Sequence, residues 1–239
     1  MHKTFSNGLI LPDLIPGILI KRYKRFLADV RLSNGDIVTA HCMNTGSMQA
    51  CSEPGRPVYL SFHVNPKRKL KYSWEIIDMP DSRVGVNTLV PNRLVYHSIK
   101  AGRLEPFAGY DKIRPEVKVG KKHRLDLMLS KNGSDLCYIE IKNCSLVTDG
   151  TAYFPDAVTE RGRNHLIELQ KLSSMGHRGV MFFLIQRMDA NIFKPADHID
   201  PAYGKELRKA VKNGVEIMVY DVRIDLNSIS LRNPIPYEL

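Results

Sequence analysis

The sequence is short of the residues that mark exported or membrane-bound proteins. Its 239 residues include four cysteines, with no Cys-x-x-Cys spacing, and its longest apolar run is the segment 180–185. A membrane-spanning helix needs about 20 consecutive apolar residues, so none is expected. The start of the chain lacks the apolar core of a signal peptide, and prolines and a glycine interrupt residues 9–20. We therefore expect reduced thiols, a cytoplasmic location and no contact with a membrane.

Acidic residues are scarce relative to basic ones. The chain has 35 Lys and Arg against 25 Asp and Glu, which gives a net charge of +10 and a pI near 9.4. Such a surplus is typical of proteins that bind polyanions, with nucleic acid favoured over an anionic membrane. The hydrophobic share of 43% is enough for a folded core, which excludes a disordered chain and a small disulfide-stabilised scaffold.

The hydrophobic pattern before Asn87 indicates a small all-β domain. Short alternating runs are separated by turn sequences such as Asn34-Gly35 and Pro54-Gly55, and they occupy about 18–32, 37–42, 58–64, 70–77 and 84–86. About five strands in so short a segment fit a closed barrel of the oligonucleotide-binding (OB) type, with a small open sheet as the alternative. The prediction assigns residues 1–86 to this OB-fold-like barrel.

After Asn87, strands alternate with helices. The sequence predicts helices near 89–100, 159–175 and 200–212, and strands near 116–119, 124–130, 136–146, 179–186 and 215–224. Asn132-Gly133 predicts a hairpin turn between the second and third of these strands. This order is typical of an α/β sheet covered by helices on both faces, here residues 87–239. The whole chain is therefore predicted to be a two-domain α+β protein.

Charged residues interrupt the apolar pattern of the predicted hairpin. Alternation places Asp126 opposite the leucines at 125, 127 and 129, and it places Glu140 and Lys142 together on one face. Charges inside a sheet cost free energy unless they are paired or bind a metal. Asp126 and Glu140 offer the oxygen ligands that Mg²⁺ prefers, with Mn²⁺ as the alternative ion. Lys142 is the candidate for activating water or stabilising charge on phosphorus.

Each of these assignments has a simpler alternative. A surface ion pair would explain Glu140 and Lys142, but their position on a strand next to Asp126 favours a catalytic site. Glu116 is a candidate third metal ligand or a solvated charge on an edge strand. Arg161, near the predicted start of a helix, is a candidate phosphate contact or part of a solvated face. A zinc site from His41, Cys42 and Cys51 is less favoured than structural cysteines.

Cations interleave with aromatic rings in two segments of the predicted barrel, 21–26 and 67–74. Cations match the phosphate backbone, whereas rings stack on bases. Barrel core is the alternative role for the rings, and it is favoured for Trp74. The pattern predicts nucleic-acid contacts by six residues of these segments: Arg22, Lys24, Arg25, Lys67, Arg68 and Lys69.

Motifs spread along nearly the whole chain resemble those of the sugar fermentation stimulation protein (SfsA) family. The matching segments are 22–30, 41–46, 86–88, 92–94, 137–143, 153–162 and 195–203, and Phe-Pro-Asp-Ala-Val-Thr at 154–159 is the most specific. The Asp126-x(13)-Glu140-x-Lys142 spacing resembles that of restriction-endonuclease-like, or PD-(D/E)xK, phosphodiesterases. The resemblance implies an N-terminal OB-like barrel, a C-terminal nuclease-like domain, DNA binding and a regulatory link to sugar use. Asn164 stands where the family commonly has lysine, which weakens a phosphate contact there.

These observations leave two main hypotheses open. The first is a DNA-binding protein with a Mg²⁺-dependent phosphodiesterase, or nuclease, site. The second is a non-catalytic, sequence-nonspecific DNA-binding regulator of sugar (maltose) metabolism that uses the nuclease fold as a scaffold. A hydrolase of phosphorylated small molecules is a weaker third. Single-stranded and double-stranded DNA both stay open as partners, as do monomer and homodimer.

Overall fold

The computed structural model of the chain describes residues 4–5, 8–120 and 123–239. The elements of its first part are β1 (Thr4–Phe5), β2 (Gly8–Ile10), β3 (Leu14–Tyr23), β4 (Leu27–Leu32), β5 (Ile37–His41), β6 (Pro57–Phe62), β7 (Tyr72–Asp78) and β8 (Arg83–Gly85). The elements that follow are α1 (Val90–Lys100), β9 (Lys112–Val119), β10 (His123–Lys131), β11 (Asp135–Cys144), β12 (Leu146–Thr148), β13 (Thr151–Phe154), α2 (Glu160–Ser174), β14 (Arg178–Ile185), β15 (Ile192–Pro195), α3 (Pro201–Lys212), β16 (Val215–Ile224) and β17 (Ser228–Pro234).

Five strands of the first part close into a barrel. β3 pairs with β4 and β6, β4 with β5, and β6 with β7, while parallel pairing of Ala40 with Tyr72 joins β5 to β7 and closes the ring. Trp74 is fully buried at its centre, and its indole N–H donates to the Ile76 carbonyl at 2.9 Å. The predicted OB-type barrel is confirmed, and so is the core position of Trp74.

The predicted strand 18–32 is two strands, because the chain reverses between Tyr23 and Leu27, which are paired in register. Lys24 and Arg25 make the turn with φ values of 49° and 65°. Left-handed backbone normally favours glycine or asparagine, so the usual sequence signal of a hairpin is missing here. The alternation of apolar and polar residues also continues across the turn, so the sequence pattern does not reveal the reversal of the chain.

An eight-stranded sheet forms the second part, in the order β1-β2-β17-β16-β14-β11-β10-β9. β11, β14 and β16 run parallel in its middle, and β14 is almost entirely buried. One face packs against α1, and the other packs against α2 and α3. We call these the α1 face and the α2–α3 face. The predicted α/β sheet with helices on both faces is confirmed.

Two features of the chain ends differ from the prediction. Residues 215–224 are not the last strand, since β17 pairs with β16 and continues the sheet to β2. β1 and β2 therefore lie in the large sheet, although the prediction includes them in the barrel domain, 1–86. The strands of the barrel itself begin at Leu14. Ile229 of β17 pairs with Leu9 of β2, a long-range contact that local patterning does not reveal. The domain division at residues 86 and 87 stays a prediction.

Polar contacts join the barrel to the large sheet. The Gly85 N–H donates to the Gln186 carbonyl at 2.9 Å, and the Gln186 side chain donates to the Asn87 carbonyl at 3.2 Å. Arg187 Nη1 donates to the Ala50 carbonyl at 3.3 Å. In the described part of the chain, no helix is long and apolar enough to cross a membrane.

Candidate active site

β10 and β11 separate at the candidate site. Their pairing ends at Leu127 and Ile139, so Ile141 has no partner on β10. The Ile141 N–H instead donates to Asp126 Oδ2 at 2.8 Å, and Asn92 Nδ2 of α1 donates to Asp126 Oδ1 at 2.7 Å. The Asp126 carboxyl thus occupies the gap between the two strands. We call this gap, bounded by residues 124–127 and 140–142, the fork.

The pairing of β10 with β9 is interrupted at Asp126. Leu125 pairs with Val117 and Leu127 with Pro115, and Asp126 and Glu116 lie between these two pairs. Leu125 packs on the α2–α3 face whereas Leu127 packs on the α1 face. The prediction that the leucines at 125, 127 and 129 share one face is therefore wrong for Leu125, because the alternation breaks at this unpaired position, where the backbone of Glu116 is left-handed.

Glu116 and Asp126 line one pocket of about 220 Å³ between β9, β10 and α1. Arg93 and Tyr96 line it from the helix side. Glu116 is exposed and has a φ of 54°, a conformation that costs a non-glycine residue on the order of 1–3 kcal/mol. Such strained residues cluster at functional sites. The structure thus brings the candidate third ligand into the same pocket as Asp126.

Glu140 and Lys142 project from the α2–α3 face. Ile139 and Ile141 pack on the α1 face, as predicted. Lys142 Nζ lies 2.7 Å from Glu140 Oε1 and 3.3 Å from Nδ1 of the buried His165 of α2, which also contacts Glu140 Oε1. Glu140 Oε2 is buried and has no hydrogen-bond partner among the described residues. One oxygen of this carboxylate is therefore satisfied and the other is available to a ligand.

The two carboxyl groups of the fork differ in electrostatics. Burial, and then the negative charge of Glu140, raise the pKa of Asp126 to about 7, although the Ile141 N–H and Lys142 act to lower it. Burial also acts to raise the pKa of Glu140, but the Lys142 ammonium and His165 outweigh it and the pKa is lowered. Glu140 is thus the ionised partner, and a cation between the two carboxyls would favour ionisation of both.

The donor set of the fork fits a magnesium or manganese ion. In residues 4–5, 8–120 and 123–239, no group of three or more His, Cys, Asp or Glu side chains has the arrangement of a metal site. Mg²⁺ does not need one, since one or two carboxylates suffice when water and phosphate complete its coordination. The partnerless Glu140 Oε2 and the neighbouring Asp126 carboxyl supply hard oxygen donors of this kind.

The basic residues of the hairpin between β3 and β4 fall into two groups. Arg22 donates to the backbone carbonyls of Arg25, Asn44, Gly46 and Ser47, so its guanidinium holds two loops together. Lys24 and Arg25 are exposed at the turn beside Phe26, which is 47% exposed. Nucleic-acid binding by these three cations stays a prediction.

The other predicted cations lie on two further segments. Lys67 and Lys69 are exposed in the loop between β6 and β7, where Arg68 donates to Ser73 Oγ at 2.9 Å. Arg161 is exposed in the first turn of α2, whose N-cap Thr159 accepts from the Gly162 N–H at 3.0 Å. A DNA contact by each of these four residues stays a prediction.

The cysteines are structural. All four are free and buried, and Cys42 and Cys51 lie in the barrel core. Burial raises the pKa of the Cys51 thiol to about 12, so it stays protonated at neutral pH. Burial in the core supports the structural interpretation of Cys42 and Cys51, which the sequence favoured over the zinc site with His41.

Sequence reasoning missed two residues that touch the fork. Asn92 and His165 reach it from α1 and α2, far away in sequence; Asn92 lies in the family-matching segment 92–94, which gave it no role, and His165 lies in no motif. For His165 a weak signal exists, because it shares the buried helix face of Leu166 and Leu169, where a polar residue is unusual. Gln170, on the same helix, donates instead to Glu206 of α3 at 2.7 Å and does not reach the fork.

The chain has a closed OB barrel, and the strands of its mixed sheet separate beside two acids and a lysine. These features together define a class of two-domain proteins with a restriction-endonuclease-like second domain. Two family models match the chain: the SfsA N-terminal OB domain over residues 20–86, and the sugar fermentation stimulation protein RE domain over residues 89–228. The chain belongs to the sugar fermentation stimulation protein family.

Individual relatives agree over almost their full length. The chain is 48% identical over 227 residues to the sugar fermentation stimulation protein homolog of Geotalea daltonii and 50% identical over 229 residues to that of Geobacter sulfurreducens, covering 95% of this chain and 98% of each relative. The solved structure of Pyrococcus furiosus SfsA in complex with Ca²⁺ superposes with a TM-score of 0.89 at 26% identity, covering 98% of this chain and 99% of that one. The family resemblance and the fold class predicted from the sequence are confirmed.

Proposed function

We propose that this chain is a cytoplasmic DNA-binding protein with a Mg²⁺-dependent phosphodiesterase site at the fork, where Mn²⁺ can replace Mg²⁺. The observation that carries the proposal is Glu140 Oε2, a buried carboxylate oxygen without a partner among the described residues, beside Asp126, whose pKa is raised by burial and by the Glu140 charge. Leaving a buried acceptor unpaired costs about 1–3 kcal/mol, so such an arrangement is expected where a ligand completes it.

The residues of the fork have separate roles. Asp126 and Glu140 would hold the metal, and Glu116 is the candidate third ligand from the shared pocket. The bound metal supplies a Lewis acid that polarises the phosphoryl oxygen and lowers the pKa of water. Lys142 is held by Glu140 and His165 and stabilises negative charge or orients the attacking water. Pyrococcus furiosus SfsA was solved with Ca²⁺, a cation with the same preference for oxygen ligands, which supports a divalent ion here.

The barrel would bind the DNA backbone. Lys24, Arg25, Lys67 and Lys69 are exposed, and the net charge of +10 favours association with a polyanion. None of these side chains is held in an ion pair with a described acid. Arg161 at the start of α2 would extend the basic surface to the second domain.

One observation favours the alternative, a non-catalytic DNA-binding regulator of sugar metabolism. Both oxygens of Asp126 already accept hydrogen bonds, from Asn92 and from the Ile141 N–H, so this carboxyl has a structural role without any metal. In that case the fork stabilises the nuclease-like scaffold, and DNA binding proceeds without cleavage.

A cleavage assay separates the two functions. Single-stranded and duplex DNA are incubated with Mg²⁺, with Mn²⁺ or with a chelator, using the wild type, Lys142→Ala and the control Lys131→Ala, which removes an exposed lysine at the far end of β10. The nuclease proposal predicts metal-dependent cleavage that is lost only in Lys142→Ala. Equal cleavage by both variants contradicts the assignment of Lys142. DNA binding without cleavage under any of these conditions supports the regulator.

A further inference from the structure

The open edge of the large sheet carries two cations directly opposite each other. Lys118 of the edge strand β9 and Arg124 of β10 are partners in register, and both are exposed. Within the described residues, neither forms an ion pair with an acid. Like charges placed opposite each other on neighbouring strands are destabilising. An anion bound between them would remove this repulsion.

The pair lies on the same face as the acids of the pocket. Val117, Val119 and Leu125 pack on the α2–α3 face, so alternation directs Lys118 and Arg124 to the α1 face. Glu116 precedes Val117 and Asp126 follows Leu125, so they lie on that same face, where both line the pocket. In each strand the cation is two residues from the acid, which is about 6.5 Å along the chain.

We propose that Lys118 and Arg124 form a phosphate-binding subsite that holds a nucleic-acid strand on the α1 face of β9 and β10. A phosphate bound there would place the neighbouring phosphodiester over Asp126 and Glu116. Arginine binds phosphate through two parallel N–H groups, and lysine adds a mobile point charge, so the pair suits a backbone phosphate. This inference rests on the proposed function and gives the second domain its own contact with the substrate, apart from the barrel.

The edge strand also supplies a matched control. Lysines on edge strands prevent edge-to-edge association, and this is the competing explanation for the cations of β9. Lys112 and Arg114 lie on the same strand and are equally classed as exposed, but Ile113 between them packs on the α1 face. Their side chains therefore point to the α2–α3 face, away from the pocket. Removing them changes the net charge by the same amount without touching the proposed subsite.

The test measures binding of the full chain to a short fluorescent oligonucleotide, single-stranded and duplex, by anisotropy in chelator at several salt concentrations. Lys118→Ala with Arg124→Ala should weaken binding at least tenfold and flatten the log–log salt dependence by about 0.7 for single strands, or about 0.9 for duplex, since the subsite holds one phosphate. Lys112→Ala with Arg114→Ala should weaken binding less than threefold. Thermal melting should show the first variant at least as stable as the wild type.

The remaining outcomes overturn the inference in distinguishable ways. Equal losses in the two double variants would show a general effect of charge and no subsite on the α1 face. If DNA binding is unchanged in both double variants and either of them aggregates, the role of the cations is to protect the edge of the sheet from association. If the wild type binds neither form of DNA, the proposed function fails together with this inference. As a positive control, exchanging the two residues (Lys118→Arg with Arg124→Lys) should retain binding.

Discussion

Two buried glutamates, one in each part of the molecule, have the same exposure and opposite surroundings. Glu75 in the barrel is 4% exposed and Glu140 at the fork is 3% exposed. Glu75 accepts from Ser61 Oγ at 2.6 Å and from Asn87 Nδ2 at 2.7 Å, so both its oxygens are satisfied. Glu140 leaves Oε2 without a described partner. Burial of an acid therefore does not by itself indicate a site, and the feature that supports our proposal for Glu140 is its unfilled oxygen next to a second acid.

The largest effect that separates these two glutamates is expected in catalysis. Glu140→Gln should lower metal-dependent DNA cleavage by about 100-fold or more, because it removes one charge that holds the metal and the partner that holds Lys142. Glu75→Gln should stay within a few-fold of the wild type when both are assayed fully folded. Cleavage rates measured under single-turnover conditions compare the two, and similar losses in both variants would break the distinction.

The order reverses for stability. Glu75→Gln should lower the free energy of unfolding by about 1–3 kcal/mol, because the amide replaces one of the two buried oxygens that accept from Ser61 and Asn87. Glu53→Gln is the control, since that glutamate is exposed and pairs with Arg56 on the surface, where such pairs contribute about 0–1 kcal/mol. Urea denaturation measures both, and an equal change in the two variants would show that the Glu75 network adds no stability.

Asp126 makes the stability of the fork depend on pH. Its pKa in the folded protein, about 7, is above the value near 3.9 expected for an unfolded chain, so the folded state binds the proton more tightly. The stability from this proton is fully present below about pH 4 and is lost as the pH rises through about 7. In chelator, Asp126→Asn should gain melting temperature relative to the wild type across this window. A difference that stays constant with pH would contradict the raised pKa.

The smallest expected effect concerns the exposed charges of the barrel. Arg25→Gly should change the free energy of unfolding by about 1 kcal/mol or less, since relief of the left-handed backbone is offset by the added freedom of glycine in the unfolded chain. DNA affinity should nevertheless fall severalfold with the loss of one phosphate contact. Arg25→Lys should keep both properties. Unchanged affinity in Arg25→Gly would remove this turn from the proposed DNA surface.

Local patterning predicted most of the architecture. Helix signals such as Asp200 before Pro201 are confirmed, since the Asp200 side chain caps α3 by accepting from the Tyr203 N–H at 2.9 Å. The hairpin at Asn132-Gly133 is confirmed by their left-handed conformation. The turn at Lys24 and the pairing of β17 with β2 were missed, because the first uses residues that seldom adopt this conformation and the second joins opposite ends of the chain.

The candidate site was only partly predictable for the same reason. Alternation placed Glu140 and Lys142 on one face, as the packing of Ile139 and Ile141 on the other confirms. It failed at Leu125 and Asp126, because the interruption there depends on pairing with β9 and leaves no mark in the sequence of β10. Asn92 and His165 come from helices whose position is set by packing, so no local pattern joins them to the fork.

Metal titration of the two glutamate variants tests the central claim most directly. Isothermal titration of Mn²⁺ into the wild type, Glu75→Gln and Glu140→Gln measures binding without requiring DNA or turnover. The account predicts a binding isotherm for the wild type and for Glu75→Gln, and loss of that isotherm in Glu140→Gln, because only Glu140 has an unfilled oxygen beside a second acid. Mn²⁺ binding that is the same in all three proteins, or absent from the wild type, would contradict it.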